Sequence, residues 1–215
     1  MKKIVLIGDS IRMGYDKYVK DTLANEAEVF YPKDNCRFAA YILRCAHEWK
    51  RDGQWGDDVD LVHWNAGLWD VIELFGDEPL TSLSYYGEAI ARVDKRLRFL
   101  FPKAKIVFAT STNVNEEMRK NDFKQRHNTT IQTYNAEALR VLSATDTVIN
   151  DLYTLTASFP DTYRSDATHF YTPQATEAIG GQVLKIICDL LDIKPQGIHM
   201  ENFTAENYSK DQIGY

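Results

Sequence analysis

Short apolar runs and amphipathic stretches alternate along the chain. Ile4, Val5, Leu6 and Ile7 form the first run, rich in β-branched side chains, and predict a buried strand that stops at Gly8-Asp9-Ser10. Over residues 11–24 the apolar positions Met13, Tyr15, Tyr18, Val19 and Leu23 suit an amphipathic helix, so Ser10 opens a helix. The alternation continues with a strand at 27–31, a helix at 38–49 (Phe38, Tyr41, Ile42, Cys45, Trp49) and a strand at 60–65. A long helix over 85–101 is stopped by Pro102, and a strand at 105–109, a helix at 128–142 and a short strand at 147–149 follow. Thr172-Pro173, a capping residue before a proline suited to the first helical turn, opens a last helix that runs to Leu191.

Strands that alternate with helices and read as continuous apolar runs belong to a parallel sheet buried on both faces. The expected fold class is therefore α/β, a three-layer α/β/α sandwich on a mostly parallel sheet. A chain of 215 residues that is 44% hydrophobic can bury one full core, so a single domain is expected over 1–194. Residues 195–215 are polar with scattered aromatics (Phe203, Tyr208, Tyr215) and read as a C-terminal segment of the same domain, either a loose tail or an arm packed on the body or on a neighbouring subunit. A homo-oligomer is thus left open.

Composition narrows the partners. With 31 acidic against 25 basic side chains, a net charge of −6, and no Lys/Arg run interleaved with aromatics, nucleic acid is not an expected partner. The apolar run after Lys2 and Lys3 is far shorter than the roughly 7–15 residues of a signal peptide's core, and nothing later resembles a membrane span. Cys36, Cys45 and Cys188 are odd in number and lack CxxC spacing, which argues against a disulfide framework and leaves a reduced, cytoplasmic setting as the expectation. The histidines have no metal-ligand spacing and the first loop lacks Gly-x-Gly-x-x-Gly, so neither a metal nor a cofactor is expected.

Open α/β sheets bind ligands outside the carboxyl ends of their strands, where Ser10 is delivered. Asp166-Ala167-Thr168-His169 lies on a loop before the last helix. Its carboxylate can accept a hydrogen bond from the Nδ1–H of His169, leaving Nε2 free to take a proton from a serine hydroxyl. Helix capping accounts for Asp9 and Ser10 taken alone, and a surface pair accounts for Asp166 and His169 taken alone. Placed together on one sheet edge, they point to a serine hydrolase. Arg12 and Arg37 are candidates for anchoring an anionic substrate, or solvated arginines. Trp64, Trp69 and Tyr171 are candidates for an aromatic wall, or core. The polar insertion at 113–125 is long for a strand-to-helix connection and reads as a substrate-covering loop or a solvated surface.

From Gly8-Asp9-Ser10 to Asp166-Ala167-Thr168-His169 the chain resembles the SGNH, or GDSL-type, hydrolases. The resemblance implies a flavodoxin-like, five-stranded sheet in the order 2-1-3-4-5. It also implies Ser10 as nucleophile, His169 as general base and Asp166 as its orienter. The family's Gly-x-Asn-Asp block corresponds to Gly67-Leu68-Trp69-Asp70, with Trp69 where an oxyanion-binding asparagine is usual. An indole offers one donor on a bulky ring, so Asn65, at the end of the third strand, is the favoured replacement, with a loop-tying role as its alternative. The family's second-block glycine is missing from the loop at 32–38, where Asn35 or the backbone N–H of Cys36 or Arg37 could donate. Ser10's own N–H would complete the oxyanion hole. The implied activity is carboxylic ester hydrolysis of a small-molecule substrate through an acyl-enzyme, with a small acyl (acetyl) group on a carbohydrate favoured. A lysophospholipase or thioesterase is the alternative acyl hydrolase, and the rival from another class is a non-catalytic ligand-binding protein with a decayed oxyanion site.

Overall fold

The computed structural model describes residues 1–194; the C-terminal segment at 195–215 lies outside the described residues. Five parallel strands make the sheet: β1 (Lys2–Ile7), β2 (Ala27–Phe30), β3 (Leu61–Trp64), β5 (Lys105–Ala109) and β7 (Val148–Asn150), in the order β2-β1-β3-β5-β7. Counting these strands alone, that is the expected 2-1-3-4-5. Two further strands, β4 (Glu73–Leu74) and β6 (Lys124–Gln125), pair antiparallel as a separate ribbon. The ribbon was not legible in the sequence, because two-residue strands carry no periodicity.

Helices α3 (Ala39–Asp52), α4 (Leu83–Leu100) and α5 (Asn128–Leu142) pack side by side. Helices α2 (Asp16–Thr22), α6 (Leu152–Ala157) and α7 (Pro173–Leu191) form a second packed group. Between these layers Ile4 to Ile7 of β1 are completely buried, as are Leu61, Val62 and Trp64 of β3 and Val107 to Ala109 of β5. Central strands buried on both faces explain the unbroken apolar runs, and trimming one such residue, Leu6→Ala for example, is expected to cost about 2–5 kcal/mol.

The expected helix over 11–24 is two pieces. Helix α1 (Ser10–Met13) is a single turn that ends at Gly14, and α2 starts after Tyr15. A Cβ at Gly14 would lie 2.7 Å from the Tyr171 ring, so glycine is what lets the first helical turn approach the loop before α7. Helix α7 begins as its sequence implies: the Thr172 hydroxyl accepts from the Ala175 N–H at 3.3 Å and Pro173 occupies the first turn. No helix among the described residues is long and apolar enough to cross a membrane.

Candidate active site

The turn after β1 is built by three residues in succession. A Cβ at Gly8 would overlap the Asn65 carboxamide, so the backbone passes close under β3 only because this residue is glycine. Asp9 then caps α1, its Oδ1 accepting from the Ile11 N–H at 2.9 Å. The capping role weighed for Asp9 is therefore real and coexists with a free helical start at Ser10, whose backbone N–H has no intrahelical acceptor. Asp9 is fully buried; burial raises its carboxyl pKa, and hydrogen bonds from Asn65 and Ile11 oppose that rise. The Asn65 amide N–H donates to the Asp9 carboxylate, while the buried Asn65 Oδ1 is left without a donor.

Across the strand ends, the loop before α7 closes on itself. Asp166 Oδ1 accepts from the backbone N–H groups of Thr168 at 2.7 Å and His169 at 2.9 Å, while Oδ2 lies 2.7 Å from His169 Nδ1. Ser165 and His169 are joined through their backbones at 2.9 Å. A carboxylate partner fixes the proton on Nδ1, so Nε2 is the acceptor that faces Ser10 Oγ at 2.8 Å. Burial pushes the Asp166 carboxyl up, but the His169 hydrogen bond and charge, with the two backbone donors, hold it well below the usual carboxylate range. The structure thus brings Ser10, His169 and Asp166 into one hydrogen-bonded chain from positions 159 residues apart.

Tyr171 is placed differently from the aromatic wall considered for it. Its ring stacks on the His169 imidazole with centroids 4.9 Å apart, and its hydroxyl donates to the Ser10 carbonyl at 2.7 Å. Both its face and its tip are spent on the Ser–His pair, which makes it a brace rather than a substrate surface. Trp64, the other wall candidate in the sheet, is completely buried against Phe108.

The opposite side of the site is held by long-range contacts. Asn65 sits just past β3, its backbone N–H donating to Ile7 at 3.0 Å and its side chain against Asp9. Gly67 follows in a backbone conformation (φ +145°) that side chains rarely adopt, with Ser111 where a Cβ would go. Asp70 reaches away to α3, accepting from the Ala39 N–H at 3.2 Å, and burial pushes its carboxyl up to about 7. Trp69 is half-buried beneath the Lys124 ammonium, which lies 5.6 Å from its ring centre.

On the loop after β2, Asn35 is buried and its Oδ1 accepts from the Arg37 N–H at 2.9 Å. The Cys36 N–H donates to Gly8 O at 3.1 Å. The two backbone donors considered on this loop are therefore engaged, and the Asn35 side chain is what remains of that expectation. Arg12 corrects a sequence expectation outright. It is 1% exposed, and its guanidinium is committed to Asp16, to Pro32 O at 3.1 Å and to Asp34 O at 2.7 Å, so it pins this loop from below and offers substrate nothing. The Arg37 guanidinium lies over the Tyr41 ring, 5.1 Å from its centre.

Arg126 was missed. It is buried at the end of the polar insertion, donating from Nε to Leu68 O at 2.5 Å and reaching Thr168 Oγ1 from Nη1 at 3.5 Å. It thereby bridges the Gly67–Asp70 turn to the Asp166–His169 loop. Nothing local marks it, since Lys124, Gln125, Arg126 and His127 read alike as a polar run. Among the described residues no three His, Cys, Asp or Glu side chains are grouped to hold a metal ion.

At the level of sequence, no protein-family model and no curated protein matches the chain. Solved structures do. The lipase/acylhydrolase from Enterococcus faecalis superposes with a TM-score of 0.68 at 21% identity, covering 92% of this chain and 100% of that one. A GDSL-like lipase from Bacteroides thetaiotaomicron gives a TM-score of 0.66 at 18% identity, with 87% and 88% covered. A carbohydrate esterase family 3 structure from Talaromyces cellulolyticus gives 0.62 at 18% identity, with 90% and 100% covered. Over nearly its whole described length, the chain has the fold of the GDSL-like lipases and esterases.

Proposed function

We propose that the chain is a serine carboxylic ester hydrolase working through an acyl-enzyme. The observation that carries this reading is the Ser10–His169–Asp166 relay, with contacts of 2.8 and 2.7 Å at the carboxyl end of β1. His169 Nε2 removes the Ser10 proton as Oγ attacks the ester carbonyl, then returns it to the leaving alcohol. Asp166 keeps the imidazole in the required tautomer and stabilises the imidazolium. Water repeats the sequence on the acyl-enzyme and releases the acid. The Ser10 N–H, the Asn65 amide and the Asn35 amide are the donors assigned to the oxyanion. A hydrogen-bonded relay, with Tyr171 bracing both Ser10 and His169, favours catalysis over the binding-only rival.

A small acyl group on a carbohydrate is the favoured substrate. A polar insertion beside the catalytic loop and the shared fold with a carbohydrate esterase support it. The free Cys36, Cys45 and Cys188 fit a reducing compartment, with the cytoplasm the favoured one. The test is hydrolysis of p-nitrophenyl acetate, butyrate and octanoate beside Ser10→Ala and His169→Ala. Turnover that falls with chain length and is lost in both variants is expected; turnover that survives Ser10→Ala would overturn the assignment, and a preference for octanoate would move it to the lipid acyl hydrolases.

A further inference from the structure

The polar insertion ends in a buried cation that the ester chemistry leaves unused. Arg126 is 9% exposed, yet its hydrogen-bond partners, Leu68 O and Thr168 Oγ1, are both neutral. Burying a guanidinium without a bonded carboxylate is costly. Burial pushes its pKa down to about 10, with Arg119 adding to the fall, and Asp9 and Asp166 oppose it from a distance. Among the described residues neither acid comes within ion-pair distance of the guanidinium; Asp9 takes its hydrogen bonds from Ile11 and Asn65, and Asp166 from His169 and Thr168.

A cavity of about 130 Å³ opens beside this cation, lined by Asn115, Arg119, Lys120, Gln125, Arg126 and Thr168 among others. Its acids are already matched: Glu116 is bonded to His127 and Asn128, and Glu117 to Lys120. Arg119 is bonded to Asp122 at 2.9 Å, so Arg126 is the lining cation left without a bonded acid, in a space rich in N–H donors. Ala167 and Thr168 tie the cavity's lining to the loop that carries His169, next to Thr168 in sequence.

We propose that this cavity binds an anionic oxygen group, a carboxylate or a phosphate, carried by the ester substrate, with Arg126 as its principal ligand. The inference rests on the ester-hydrolase reading and sharpens it to acidic esters. A guanidinium presents its N–H donors in a planar fork that matches such groups, and the occupant supplies the charge that Arg126 lacks.

The experiment is calorimetric titration of the wild type, Ser10→Ala, Arg126→Met and Arg126→Lys with 4-hydroxybenzoate, methyl 4-hydroxybenzoate and inorganic phosphate. At least one anion is expected to bind the wild type and Ser10→Ala alike, and Arg126→Met roughly 10- to 100-fold more weakly, while Arg126→Lys recovers part of the loss. The methyl ester is expected not to respond to Arg126. Preference for the benzoate assigns a carboxylate, and preference for phosphate assigns a phosphate. Should Arg126→Met fail to fold, Arg119→Gln at the cavity wall is expected to weaken the same anion several-fold. Anion affinity unchanged in Arg126→Met, or in Arg119→Gln where that variant stands in, overturns the proposal, as does a wild type that binds neither anion. Because Ser10→Ala binding needs no chemistry, an inactive wild type that still binds the anion through Arg126 would sink the esterase reading alone.

Discussion

The Asp166–His169 loop and the Gly67–Asp70 turn flank Ser10, but they are fixed in different ways. Asp166 takes its hydrogen bonds from Thr168 and His169, and the Ser165 hydroxyl accepts from Tyr171, so contacts within six residues set most of the loop's shape. The Gly67–Asp70 turn is held instead by Ala39 on one helix, by Ser111 beyond another strand and by Arg126 from the insertion. One side of the site is a local device that needs only a place to dock, and the other is a junction of distant segments. Substitutions should therefore act on chemistry alone on the first side and on chemistry and stability together on the second.

The largest effects test the local side. Ser10→Ala and His169→Ala are each expected to cut kcat by about 10⁴-fold or more with melting temperatures close to wild type, read by ester hydrolysis and thermal unfolding. On the junction side, Asn65→Ala is expected to lower kcat by about 10²–10³-fold. It should also destabilise the fold by roughly 1–3 kcal/mol, because Asp9 loses its buried partner. An Asn65→Ala protein with full activity and reduced stability would reduce this residue to a loop tie.

Acid and base stability separate the two sides by sign. Asp166 has a folded pKa below its unfolded value near 3.8, so its contribution is present above about pH 4 and is lost as pH falls. Asp70 has a folded pKa raised to about 7, so the unfolded chain ionises first and stability is lost as pH rises from about 4 to 7. Denaturant unfolding across pH should then find Asp70→Asn gaining on wild type at pH 8 relative to pH 4, by on the order of 2–4 kcal/mol. Asp166→Asn should instead run parallel to wild type between pH 4 and pH 8 and lose ground on it only as pH rises from about 2 to 4, where the native carboxylate's advantage develops; a variant that gained on wild type over that lower range would erase the contrast.

The smallest effect concerns the brace. Tyr171→Phe keeps the ring on His169 and removes only the hydroxyl that bonds the Ser10 carbonyl, worth about 0.5–1.5 kcal/mol. A fall in kcat of roughly 10-fold or less is expected, and Tyr171→Ala, which also frees the imidazole, should fall further.

How much the sequence disclosed follows the same division. The strands, the long helices and the Thr172-Pro173 start were legible because burial and capping write periodic or local signals. Ser10, Asp166 and His169 were legible because a strand-to-helix turn and a four-residue loop carry their own chemistry. Arg12 misled, since an arginine two residues past Ser10 looks like a substrate anchor, and only the fold reveals Asp16, Pro32 and Asp34 closing over it. Arg126 and the ribbon went unseen for the complementary reason: their partners lie in other segments, Leu68 for one and β4 for the other. Ser10 and His169 could be brought together because each sits at the end of an element whose place the pattern gives, Ser10 after the first strand and His169 before the last helix, whereas contacts such as Arg126 to Leu68 have no such frame.

The central claim is that Ser10 is a nucleophile activated by His169. It is tested most directly by treating the wild type, Ser10→Ala and His169→Ala with diethyl p-nitrophenyl phosphate and reading intact mass and labelled peptides. A single diethylphosphoryl adduct on the peptide containing Ser10 is predicted for the wild type, none for Ser10→Ala and far slower labelling for His169→Ala. An adduct on another residue, or labelling of Ser10 at the same rate without His169, would contradict it.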